Sequence, residues 1–198
     1  MNPQNPSQKT TTFLIIWLGQ VVSLVGSGLT SFALGVWVFQ RTGSATQFAL
    51  IGLAAVLPRV LLSPLAGAIV DRYDRRRVMI LSDVGAGLST LAVVLLLFTA
   101  QLEIWHIYLL AGVSAAFGTV QWPAFAATTS LLVAKKDLGR ANGMVQFGQA
   151  ASEILSPALA GVLIGVIQLE GVILIDVITF VFAVGTLLLV RLPRPGAV

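Results

Sequence analysis

Leu91-Ala92-Val93-Val94-Leu95-Leu96-Leu97-Phe98 decides the fold, because eight apolar residues follow one another with no polar break. A strand of a membrane barrel would alternate apolar and polar residues over about ten positions. Hydrocarbon offers no water to the backbone, so each N–H and C=O must be satisfied by a helix or a closed barrel. Without alternation, this stretch reads as a helix. Working outward, the surrounding segment 78–100 carries a single charge, Asp83. Its length suffices to cross a hydrocarbon core of about 30 Å.

The same reading repeats along the chain and places spans at about 13–38, 46–69, 78–100, 104–124, 142–167 and 171–191. Residues 1–12 form a polar segment on the cytoplasmic side, and 192–198 a cytoplasmic tail or the start of a linker. The fold class is all-α, a polytopic membrane protein of six transmembrane helices. Composition agrees: 57% of the 198 residues are hydrophobic and 10% charged, and mean hydropathy is +0.93. Soluble domains carry roughly 25% charge. There is no cysteine and one histidine, which excludes disulfides and leaves a metal site without its usual ligands. No cofactor is expected. The apolar segment after the N-terminus is too long for a signal-peptide core, so no cleaved signal is expected.

Charge placement gives the orientation. The connections after spans 2 and 4 and the tail are basic (DRYDRRR, SLLVAKKDLGRA, RLPRP), whereas those after spans 3 and 5 carry no Lys or Arg. Cytoplasmic loops hold the excess of Lys and Arg. An inside N-terminus puts ten of the twelve basic residues on the cytoplasmic side and leaves Arg41 outside and Arg59 within span 2. Both termini are therefore expected in the cytoplasm. The net charge of +4 reads as membrane orientation and not as nucleic-acid binding. Ala124–Ala134 has the pattern of a short amphipathic helix on the cytoplasmic face. Ser63-Pro64-Leu65-Ala66-Gly67 and Ser156-Pro157-Ala158-Leu159-Ala160-Gly161 share small residues, a trace of an inverted 3+3 repeat.

Ionisable groups at mid-bilayer cost about 2.5–3.5 kcal/mol on insertion scales, so each needs a partner or a wet cavity. Arg59 and Glu153 fall near the middle of spans 2 and 5. Gln146, Gln149 and Glu153 share one helical face. A partly desolvated carboxyl group there has the chemistry to take up and release a proton; the other reading is a structural pair with Arg59 or a residue beyond this chain. Gln20 heads a face with Ser23, Ser27 and Ser31, where the serines read as a close-packing stripe and Gln20 as a cavity group. Gln20, Arg59, Gln146 and Gln149 are thus the expected cavity or substrate-facing groups. Asp176 is either a second proton site or a group reaching the outer interface. Asp83 is expected to brace the basic loop from two turns away, and His106 belongs to an interfacial belt beside Trp105.

The stretch Gly67-Ala68-Ile69-Val70-Asp71-Arg72-Tyr73-Asp74-Arg75-Arg76-Arg77 resembles the cytoplasmic loop signature of the major facilitator superfamily. There a Gly and small or apolar residues precede Asp-Arg, with further basic residues after. Phe13–Gln20, Ser23–Ser27, Thr42-Gly43-Ser44, Leu57-Pro58-Arg59, Pro64–Gly67, Ser82-Asp83 and Pro157–Gly161 are similar to the exporter branch with enterobactin-type siderophore and macrolide efflux carriers. Asp74 stands where the pattern often has Gly. Span 4 lacks the family's arginine within Leu109–Gly118, and Ser156 replaces the Gly of the Gly-Pro pattern in span 5.

The resemblance implies two six-helix halves in the cell membrane, a small-molecule substrate bound near the midplane between them, and alternating access. This chain corresponds to the N-terminal half. Gly67, Asp71, Arg72, Arg75 and Arg76 become a cytoplasmic gate, with Gly67 allowing close helix approach and Asp71 pairing with a basic group or a helix end of the other half. Glu153 and Asp176 become coupling residues for proton-driven efflux of a small amphipathic compound such as a drug or siderophore. The partners implied are the lipid bilayer, the substrate and a second half, on the same polypeptide or as a second copy. Two other readings stay open: a half-size protein acting as a homodimer or partner subunit, and an intramembrane serine enzyme built on Gly26-Ser27-Gly28. The latter needs a histidine that can meet Ser27.

Overall fold

The computed structural model describes residues 6–190, and these are helical almost throughout. Five helices follow in order: α1 (Pro6–Thr42), α2 (Ala45–Arg72), α3 (Arg75–Phe98), α4 (Ile104–Leu132) and α5 (Leu138–Leu189), with a 3₁₀ turn at Lys135–Asp137 before the last. All five are long and apolar enough to cross a membrane. The tail 192–198 and residues 1–5 lie outside the described residues.

The turns follow from local chemistry. Gly43 has φ +64, a conformation that suits a residue without Cβ, and Ser44 then caps α2 by accepting from Gln47 N at 3.3 Å. Asp74 caps α3 by accepting from Arg77 N at 3.0 Å, with φ −60. The position where the family pattern often has Gly therefore needs no glycine conformation here. Asp fills it because a side-chain acceptor satisfies a free N–H at the helix start.

Two boundaries differ from the sequence expectation. Helix α1 begins at Pro6, inside the segment assigned to the cytoplasmic terminus. Residues Ala124–Leu132 continue α4 without a break instead of forming a separate surface helix. Apolar burial explains this, since Ala124, Phe125 and Leu132 pack with Phe13, Ile16, Met79 and Leu187 in one core cluster. Spans 5 and 6 follow each other within Leu138–Leu189, and the non-helical backbone at Gln168 (φ 60, ψ −178) divides that stretch into two helices.

The two parts of α5 lie along α1 in opposite directions. On the first part, Trp17 Nε1 donates to Met144 O at 3.1 Å, and Ser156 Oγ donates to Val25 O at 3.2 Å. On the second, Ser27 Oγ donates to Asp176 Oδ1 at 3.1 Å, and Gly19 faces Thr186. The chain thus reverses at Gln168. Close approach to α5 depends on glycine at three points of α1: a Cβ on Gly19 would meet Thr186, one on Gly26 Thr179 and Asp176, and one on Gly28 Ser156.

The helices do not share burial equally. α2 keeps Leu53, Val56, Leu57, Val60, Leu61 and Leu65 exposed, and the first part of α5 exposes Phe147, Ile154, Leu155, Val162 and Val166. Gly67 belongs to this open side. A Cβ there would meet nothing within 4 Å, so Gly67 does not serve helix approach among the described residues.

Candidate functional site

Every membrane segment delivers polar groups to one set of adjoining cavities. The largest, about 480 Å³, is lined among others by Trp17 and Gln20 from α1, Arg59 from α2, Gln121 and Trp122 from α4, and Gln146 and Gln149 from α5. A second, about 230 Å³, runs from Arg59 past Ser114 to Thr90 and Asp176. A third, about 90 Å³, holds both buried carboxylates, Asp83 and Asp176, with Ser23, Ser27 and Thr90. Leu24 and Gln121 line all three. Gln20, Arg59, Gln146 and Gln149, singled out separately in the sequence, thus surround a single space.

The carboxylates are held by neutral donors. Gln20 Nε2 donates to Asp83 Oδ2 at 3.0 Å, and Gln121 Nε2 donates to Gln20 Oε1 at 2.6 Å and also to Asp83 Oδ1. The three side chains close a triangle that ties α1, α3 and α4. Asp176 accepts from Ser27 Oγ and Thr90 Oγ1, each at 3.1 Å, and so ties the second part of α5 to α1 and α3. Buried polar groups in low dielectric need such partners.

Two expectations are corrected here. Asp83 does not brace the basic loop: it is 3% exposed and faces α1 and α4. The loop arginines reach backbone carbonyls instead, Arg75 to Ala127 O at 3.1 Å and Arg76 to Leu187 O and Leu188 O at 2.8 and 2.7 Å. Leu187 and Leu188 lie in the last turn of α5, which leaves acceptors free and favours a cation. Asp176 does not reach the outer interface, for it is 1% exposed in the bundle interior. The helical turn that carries it faces the glycine-lined surface of α1.

Glu153 lies exposed on α5, away from these cavities, and does not join Gln146 and Gln149 at the largest one. Among the described residues it forms no ion pair with Arg59. Asp71 and Arg72 are exposed at the end of α2. Ser27 is engaged with Asp176, while His106 Nδ1 accepts from Glu103 N at 3.1 Å and its ring stacks on Trp105. The pair needed for a serine nucleophile is therefore not assembled among the described residues.

Sequence inspection missed Gln121 and Thr90. Gln121 is the one amide in the run 104–124, and as a bulky polar group in a membrane span it carries the same signal of a cavity position as Gln20. Thr90 carried no comparable signal, since hydroxyls are common in membrane helices and bond to their own backbone.

The helices thus gather polar groups inside an apolar shell. The Major Facilitator Superfamily model matches residues 16–198. The chain belongs to the Major Facilitator Superfamily. Macrolide efflux protein A of Streptococcus pyogenes is 33% identical over 184 residues, which cover 93% of this chain and 45% of that protein. Multidrug efflux pump Tap of Mycobacterium tuberculosis is 26% identical over 196 residues, 96% of this chain and 46% of that pump. The chain spans about half the length of the curated relatives it matches. As a superfamily member it is a multi-pass protein of the cell membrane, with efflux proteins among its relatives.

Proposed function

We propose that this chain forms the N-terminal half of a proton-coupled efflux transporter for a small amphipathic compound. The observation that carries the reading is the cavity of about 480 Å³ in which Trp17, Trp122 and Phe125 stand beside Gln20, Gln121, Gln149 and Arg59. Apolar and aromatic walls with a few placed polar groups are the usual make-up of a small-molecule site. The names of the relatives, a macrolide efflux protein and a multidrug efflux pump, support an amphipathic cargo.

In this reading the chain crosses the membrane six times, with the reversal at Gln168 separating spans 5 and 6 and both ends in the cytoplasm. The exposed apolar faces of α2 and of the first part of α5 meet a second six-helix half. That half is on the same polypeptide, as the relatives' length favours, or on a second copy. Alternating access then comes from rocking of the two halves, with Asp71 and Arg72 at the cytoplasmic gate.

Asp176 is the best-placed coupling carboxylate. It adjoins both smaller cavities, and its two oxygens bind α1 and α3 through Ser27 and Thr90. Proton uptake would weaken those acceptor bonds and loosen three segments together, which links a charge change to a helix movement. Asp83 stands on the same small cavity and offers a second site. Glu153 would act in coupling only once the second half encloses it.

The test is efflux in proteoliposomes of the intact protein, with an imposed pH gradient and a radiolabelled macrolide or a lipophilic dye as probe. Gradient-dependent transport that Asp176→Asn uncouples and Asp71→Asn slows is the expected result. Failure of every probe to move would reject the efflux reading. Movement with no response to the gradient or to Asp176→Asn would reject proton coupling.

A further inference from the structure

At the end of the bundle opposite the basic loops, a groove of about 340 Å³ is lined by Trp37, Arg41, Leu102, Glu103, Ile104 and Trp105. Arg41 closes α1 and is the one Lys or Arg that charge placement leaves at this end. Its guanidinium carbon stands 4.4 Å from the centre of the Trp37 ring. Across the groove, Trp105 Nε1 donates to Glu103 Oε2 at 2.7 Å and the same carboxylate accepts from the His106 backbone in a capping box; with about four lone-pair sites it can take a further donor. Among the described residues Arg41 and Glu103 form no ion pair, although both line the same groove.

One groove therefore presents a separated cation and anion with an indole beside each. A complementary ligand carries an anionic and a cationic group close together. The surroundings say where it comes from. Leu91, Leu95 and Phe98 of α3 are exposed just before the turn that leads to Leu102, and Trp105 is itself 55% exposed. An apolar flank topped by tryptophans is the profile of the bilayer's headgroup level. We propose that this groove binds the headgroup of a zwitterionic phospholipid of the phosphatidylethanolamine type. The phosphate lies on Arg41 and the primary ammonium on Glu103 beside the Trp105 ring.

The chemistry separates this lipid from its neighbours. Phosphatidylcholine has the same charges but no N–H to donate to Glu103, and phosphatidylglycerol has no cation. The test is native mass spectrometry of the intact, delipidated protein exposed to equimolar dioleoyl-phosphatidylethanolamine, -phosphatidylcholine and -phosphatidylglycerol in mixed micelles. Phosphatidylethanolamine should be retained about fivefold over each of the others, as expected of one exposed charge-assisted contact. Glu103→Gln, which keeps the Trp105 contact, should erase its advantage over phosphatidylcholine. Arg41→Gln should lower retention of phosphatidylethanolamine about fivefold, and Arg41→Lys should restore most of it. Equal retention of the three lipids, or a preference that survives both Glu103→Gln and Arg41→Gln, would overturn the proposal. Should Arg41→Gln not fold, Glu103→Gln decides alone.

Discussion

Replacing Asp176 with alanine removes the acceptor for two bonds that cross between helices, from Ser27 on α1 and Thr90 on α3. Interhelical hydrogen bonds in membrane proteins average about 0.6 kcal/mol and reach about 1.7. Two of them, with no apolar packing lost beside a cavity that already exists, amount to about 1–3 kcal/mol. For a domain of this size, a loss of 2 kcal/mol lowers the melting temperature by about 4–8 °C. Asp176→Asn is different. Its amide oxygen accepts from one hydroxyl and its NH₂ donates to the other, because Ser and Thr hydroxyls both donate and accept. Stability should then stay within about 0.5 kcal/mol of the parent. Thermal melts of the purified intact protein, read by fluorescence-detected gel filtration, measure both variants. An Asp176→Ala melt that matches the parent, or an Asp176→Asn loss as large as that of alanine, would mean that the Ser27 and Thr90 bonds do not hold these helices together.

Other outcomes follow from the same geometry. Gln121→Leu leaves Asp83 with Gln20 as its one donor; stability read from the same melts should fall by about 1–3 kcal/mol, whereas Gln121→Glu should lose more because a second carboxylate would face Asp83. Arg59 is exposed to the largest cavity and makes no hydrogen bond or ion pair among the described residues. Arg59→Gln should therefore leave the melt unchanged while efflux in proteoliposomes falls about tenfold or more. Gly28→Val places a side chain against Ser156 and Ser152, and overpacking of that kind costs about 1–3 kcal/mol. Gly165→Ala, with open space around it, should be silent in the same melt.

The fold class was legible because its signal is coarse. Runs such as Leu91–Phe98 admit one secondary structure in hydrocarbon, and the clustering of Lys and Arg in alternate connections needs no tertiary information. Family membership was legible in Gly67–Arg77 for a related reason, since a loop motif is local. Site geometry was less so. Depth in the membrane follows from position along a helix, but the side of the helix that faces the core depends on its neighbours. Asp83 and Asp176 show this. Each was placed at a plausible depth, yet Asp83 turns toward Gln20 and Gln121 and away from the arginines. Asp176 turns inward because Gly26 lets α1 come close. Glu153 shows the reverse, sharing a helical face with Gln149 on paper but falling outside the cavity in the bundle. The continuation of α4 through Ala124–Leu132 was hidden because an amphipathic surface helix and the buried end of a long helix share one periodicity.

On the proposed function, the cavity bounded by Arg59, Gln121 and Gln149 is the water-filled path of the transported compound. These 198 residues contain no cysteine, so Gln149→Cys adds the one thiol of this half, and the unsubstituted intact protein gives the background. Reaction of that thiol with a water-soluble maleimide in membranes, measured with and without a transported macrolide or dye, is the most direct test. Labelling that the compound slows is expected, with a control Val162→Cys on the exposed apolar face remaining unreactive. A Gln149→Cys thiol that does not react, or reacts at the same rate with the compound present, would contradict the claim.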